Sequence, residues 1–281
     1  LLMRSETPHA RQAADQAGAN LVPFRGRGFE IRRNAFAGVA AIVVVLAAWQ
    51  LGTTIGIINQ TFLPSPLNVF DALADLTLSG ELLRHLQASL VRIFSGWLLG
   101  TMAGLVVGFS MGLFSLARNV GMPLVSCFYP IPKIALLPLF ILWLGIGETS
   151  KIGTIALGVF FPTVISAFGG VDGAPRNLIK MAQSFNVPFL SIVFKVVLPS
   201  SLPSILSGLR ISFSTALLLV VAAEMIGADR GIGAFVLTAG NLMQTDQLLA
   251  GVITISLLGL ATGTLVSALE RLLPGRQSVS G

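Results

Sequence analysis

Long apolar runs alternate with polar connections along the chain. The runs are residues 36–58, 93–117, 120–147, 152–171, 205–228 and 248–269. The third is interrupted by Lys133 and carries Pro123, Pro130, Pro132 and Pro138; the fifth contains Arg210 and Glu224. A helix rises about 1.5 Å per residue, so roughly 20 apolar residues cross a hydrocarbon core about 30 Å thick. The pattern predicts an all-α integral membrane protein with six transmembrane helices. The first run exceeds the roughly 7–15 apolar residues of a cleaved signal peptide, so it is expected to remain as a helix.

The segments around these runs divide the chain. Residues 1–33 read as a basic cytoplasmic tail, 34–58 as the first transmembrane helix and 59–92 as a periplasmic connection. Residues 93–273 form a core of five transmembrane helices with a cytoplasmic loop at 172–204, and 274–281 a second cytoplasmic tail. In the outer connection Ser65 suits an N-cap and Pro66 the first helical position. Val69, Phe70, Leu73 and Leu76 then recur at helical spacing opposite Asp71 and Asp75. A short amphipathic helix at the outer surface is expected, either an interfacial lid or a partner-docking element. In the inner loop Pro175 can open a helix that runs to about Phe185, and Asn186 can end it in the left-handed conformation. Pro188 can open a second helix, and Pro199 is expected to stop it after Leu198. Two short helices too polar to span either cap the membrane helices or offer a soluble partner a grip.

Composition agrees with the membrane reading, since 54% of the 281 residues are apolar and only 11% are charged. A soluble domain carries about a quarter charged residues. The net charge of +6 reads as cytoplasmic Lys and Arg, not as a nucleic-acid surface. With the N-terminus inside, eleven basic residues flank the inner span ends, among them Arg118, Arg176, Lys180, Lys195 and Arg271. Only Arg84, Arg92, Lys151 and Arg230 flank the outer ends, which places both termini in the cytoplasm. A lone cysteine, Cys127, cannot form an intrachain disulfide, and His9 and His85 do not make a metal site between them.

Gly96, Gly100, Gly104, Gly108 and Gly112 recur every four residues in the second span. Small residues at this spacing let two membrane helices approach closely, so a close, crossed helix packing is expected there. Residues 108–112 match the G-x-S-x-G pattern of serine hydrolases, but inside a helix and without a histidine in reach. No phosphate-binding loop and no H-E-x-x-H occurs. No catalytic and no metal residue is therefore expected, and any ATP-driven work would need a nucleotide site on another chain. Among the charges within spans, Arg210 is placed near the inner end of the fifth span, where it can snorkel. Glu224, near the outer end, and Lys133, midway along a proline-broken span, are candidate pathway residues.

Lys180-Met181-Ala182-Gln183-Ser184-Phe185-Asn186, eleven further residues and then Leu198-Pro199 resemble the EAA loop of bacterial ABC importer permeases. Residues 63–66, 131–138, 142–147 and 244–246 add to the likeness, which is to the nitrate, aliphatic sulfonate and taurine branch and covers about 36–273. The resemblance implies a type I ABC importer permease-like fold in the bacterial inner membrane. Residues 180–186 would form the coupling helix that docks on an ATP-binding subunit. It further implies a homodimer of permease subunits, a periplasmic substrate-binding protein, no cofactor on this chain, and ATP with Mg on the partner. The cargo would be a small anion such as a sulfonate, taurine or nitrate, with a vitamin precursor or aromatic acid as the alternative. Lys180 and Met181 stand where that motif has Glu and Ala, and Asn186 where it has Gly, so the usual contacts of the glutamate do not carry over. A secondary carrier would call for paired broken helices in repeated halves, which the sequence does not display. An intramembrane enzyme would need a base that it lacks.

Overall fold

The structure is a computed structural model that describes residues 35–272. The expected tails 1–33 and 274–281, with His9, lie outside the described residues. The chain forms two compact units, residues 1–48 and 49–281. In the first unit the described residues belong to α1, Ala35–Thr54, an uncharged helix that continues past the unit boundary.

In the second unit every regular element among the described residues is a helix. After α1 come α2 (Pro66–Leu78), α3 (Glu81–Leu113), α4 (Ser115–Phe128), a 3-10 turn (Lys133–Leu136) and α5 (Leu137–Leu144). Then follow α6 (Glu148–Asp172), α7 (Arg176–Ser184), α8 (Phe189–Ile192), a π-helical turn (Val193–Val197), α9 (Leu198–Gly227), α10 (Ile232–Asn241) and α11 (Thr245–Leu272). Among the described residues, α3, α6, the run from Phe189 to Gly227 and Thr245–Thr264 are long and apolar enough to cross a membrane. The pair formed by α4 and the 133–144 segment makes a fifth crossing if counted as one, although it bends by 89°. In α1 the described apolar part, Gly38–Thr54, is shorter than these.

Several expected boundaries shift. α3 begins at Glu81, so the last third of the outer connection is helix. The third run breaks into two helices, because Pro130 and Pro132 remove two of three successive backbone donors. Pro199 does not stop the second inner helix. Leu198 N–H instead reaches back to Val193 O through the π turn, which absorbs the donor that Pro199 lacks, and the helix runs on to Gly227. Arg210 lies three turns inside α9. α10 lies between the fifth and sixth apolar runs.

α3 and α6 pack along each other with α9 against α6, around Ile93, Ile155, Val159, Phe213, Ala216 and Val220. A second cluster joins α2 to α3, α10 and α11 through Ala72, Leu76, Leu82, Phe235 and Ala250. α2 therefore packs on its neighbours through Val69, Ala72 and Leu76, while Phe70, expected on that face, is exposed. Ser65 Oγ accepts from Asn68 N–H and caps α2 at 3.2 Å.

The glycine row of α3 faces α6. A Cβ at Gly96 would lie 2.7 Å from Ile155 Cβ, at Gly104 2.8 Å from Phe160 O, at Gly108 2.6 Å from Val164 O and at Gly112 2.5 Å from Val171 Cβ. At Gly100 it would collide with the carbonyl of Ala156. The two helices thus run in close contact over about four turns, a separation that no side chain permits.

Candidate functional site

The inner loop is built around α7. The helix ends in a Schellman motif, with Asn186 N–H donating to Gln183 O and Val187 N–H to Ala182 O, both at 3.0 Å. Asn186 occupies the left-handed region at φ 53°, the conformation that glycine usually supplies there. α7 turns Ile179 and Ala182 inward onto Val171, Ala174, Ile192 and Val197. Its other face carries Lys180, Met181, Gln183 and Ser184 outward, with Phe185 at the cap 76% exposed. Leu178, Phe189 and Leu190 extend this exposed apolar surface. At its root Asp172 pairs with Arg118 at 2.9 Å, which ties the loop to the start of α4, and Arg118 lies 5.1 Å above the Phe168 ring.

Lys133 opens the 3-10 turn between α4 and α5. Its ammonium donates to Phe128 O at 3.2 Å and to Tyr129 O, so it caps the carbonyl end of α4. It also lies over the Tyr129 ring at 5.1 Å and the Phe161 ring at 4.8 Å. Phe161 stands thirteen residues after Glu148 and eleven before Asp172, near the middle of α6. The cation therefore sits at mid-depth of a spanning helix, with no carboxylate in ion-pair distance among the described residues.

Glu224 is not near Lys133. It is 1% exposed at the other end of α9, inside a polar cluster that joins four helices. Arg92 Nη1 donates to Glu224 Oε1 at 2.6 Å, and Ser89 Oγ bonds the same carboxylate at 2.8 and 2.9 Å. Gly233 N–H donates to Glu224 Oε2 at 2.9 Å, Ile232 N–H to Ser89 Oγ at 2.9 Å and Gly231 N–H to His85 Nδ1 at 3.1 Å. Side chains of α3 and α9 thus satisfy the first free donors of α10. Gly231 has φ 135°, and a Cβ there would collide with the Glu224 carboxylate. Arg92 also forks onto Glu148, with Nε at 2.5 Å and Nη2 at 2.7 Å, and Lys151 stands 3.8 Å from Glu148. Sequence reasoning singled out Glu224 but took Arg92 and Lys151 as outer flanking charges; both are buried, at 3% and 5% exposure. The available signal for Arg92 was an arginine directly before a long uncharged apolar run.

The hydrolase-like constellation does not assemble. Ser110 Oγ donates to Val106 O within its own helix, while His85 faces Gly231.

Residues 100–279 match the family model described as binding-protein-dependent transport system inner membrane component. The chain belongs to this family. It is an ABC importer permease subunit of the inner membrane, of a family whose members are not themselves enzymes. It is 38% identical over 245 residues to the Bacillus subtilis permease protein named for aliphatic sulfonates transport, covering 87% of this chain and 89% of the relative. It is 36% identical over 248 residues to the taurine transport system permease protein of Escherichia coli, covering 86% and 90%. A chain of the MetNI methionine ABC transporter, solved in inward-facing conformations, superposes with a TM-score of 0.52 at 25% identity, covering 65% of this chain and 93% of that one. The fold is accordingly that of the type I importer permeases.

Proposed function

We propose that this permease carries a small anion such as an aliphatic sulfonate, taurine or nitrate across the inner membrane by alternating access. A separate ATP-binding subunit holds ATP and Mg, a periplasmic binding protein delivers the cargo, and two copies of the permease flank the pathway. Both termini face the cytoplasm. The names of the sulfonate and taurine relatives support the cargo class.

The observation that carries the reading is the division of α7 into two faces. Ile179 and Ala182 anchor it to the ends of α6 and the π turn, while Met181 and Phe185 stay exposed. A partner gripping the exposed face would move α6 and the Phe189–Gly227 rod with it. The test is Phe185→Asp in the complex reconstituted in vesicles that hold ATP and no ion gradient. Loss of ATPase association and of uptake is expected; undiminished association and uptake would sink the docking assignment. Uptake by the wild type without ATP would sink the ATP-driven reading.

A further inference from the structure

A cavity of about 390 Å³ lies between α3, α4 and α6. Its walls are Met111, Met122, Val125, Val164, Ile165 and Phe168, and among the described residues its polar side chains are Ser126 and Tyr129. The volume falls within the roughly 300–1,000 Å³ of small-molecule sites. Tyr129 joins it to the cation of Lys133, since this residue lines the cavity and its ring lies 5.1 Å from the ammonium. An ammonium has three donors, and two of those of Lys133 go to backbone carbonyls, which leaves one for a ligand.

We propose that Lys133 and this cavity form one subsite, which takes an alkylsulfonate with its anionic head on the ammonium and its chain in the cavity. The proposal rests on the anion-permease reading above and narrows it. Nitrate has no chain to cover the apolar walls. Taurine would bring a second charge, an ammonium, against walls that present no carboxylate. An anionic lipid has the same two parts, but its headgroup belongs at the interface. Lys133 faces Phe161, whose place in α6 is roughly 17–20 Å along the helix from either end. A charge at that depth, without an acidic partner, is stabilised by a ligand that arrives with the opposite charge. The cavity extends from there along Val164, Ile165, Phe168 and Gly169, towards the Asp172 end of α6.

The experiment is uptake by the complex of permease, ATPase and binding protein in ATP-loaded vesicles. The probes are methanesulfonate, octanesulfonate, taurine and nitrate, and each variant is compared with the wild type using the same binding protein. Lys133→Met is expected to lower uptake of both alkanesulfonates by about tenfold or more, with ATPase association intact. Met122→Trp, which fills the cavity, is expected to lower octanesulfonate uptake by about tenfold while methanesulfonate is nearly unchanged. Should that variant not fold, Val125→Leu must move the ratio of the two uptakes in the same direction. Full uptake by Lys133→Met, or an unchanged ratio in the folded cavity variant, overturns the proposal. Wild-type import of taurine or nitrate without alkanesulfonates overturns it and leaves the anion-permease reading standing. ATP-dependent import of none of the four overturns both.

Discussion

Arg92 and Glu224, 132 residues apart, meet at 2.6 Å with 4% and 0% of their side chains exposed. The pair closes one end of the α3–α6–α9 packing and orients α10, because the Glu224 carboxylate also receives Gly233 N–H. Glu148 completes the charge balance from outside, with 58% of its side chain exposed. The two carboxylates that share Arg92 are thus unlike in what they lose when the arginine is removed.

Arg92→Met returns Glu148 to water but strands Glu224 in the interior. Removing one partner of a buried ion pair costs about 3–5 kcal/mol. A fall in unfolding temperature of the purified permease in detergent is therefore expected, larger than that of Glu148→Gln. Glu224→Gln should fall between them, since its amide oxygen can still accept from Ser89. Equal losses in Arg92→Met and Glu148→Gln would show that the buried pair has no special weight.

The α3–α6 contact makes a second prediction. Gly100→Leu forces a side chain into the Ala156 backbone, and overpacking of this kind costs about 1–3 kcal/mol at least. Gly169→Ala is the control, because nothing lies within 4 Å of its Cβ position. Alanine favours a helix by about 0.8–1.0 kcal/mol over glycine, so that variant is expected to be as stable as the wild type or more. Thermal unfolding of the two variants checks the contrast, and an unaffected Gly100→Leu would refute the close approach.

What could be read from the chain follows from the range of each interaction. The glycine period and the left-handed end of α7 at Asn186 are local patterns, and each has its counterpart in the structure at those residues. The burial of Arg92 is not legible in the sequence because its partners lie 56 and 132 residues away, and the pairing itself is made across helices. Pro199 misled for another reason. Its cost to an α-helix is real, but a π turn of five residues that ends two residues before it removes the conflict, and nothing in the composition of Val193–Val197 announces one. The cavity beside Tyr129 draws its walls from three helices, so only the fold brings them together.

The end of α7 supplies the last prediction. Asn186 holds φ 53°, a conformation that costs most residues roughly 1–2 kcal/mol and glycine almost nothing. Asparagine tolerates it because its short polar side chain can bond locally. Asn186→Gly should keep the Schellman bonds of Asn186 and Val187 and raise the unfolding temperature slightly. Asn186→Val should break them, since a β-branched side chain is poorly suited to the left-handed region. Hydrogen exchange at the Val187 amide, which donates to Ala182 O, reads the motif directly: slow in the wild type and in Asn186→Gly, fast in Asn186→Val. Because the same turn aims Phe185 outward, Asn186→Val should also weaken ATPase association. A Val187 amide equally protected in all three proteins would mean that the left-handed residue does not hold the loop.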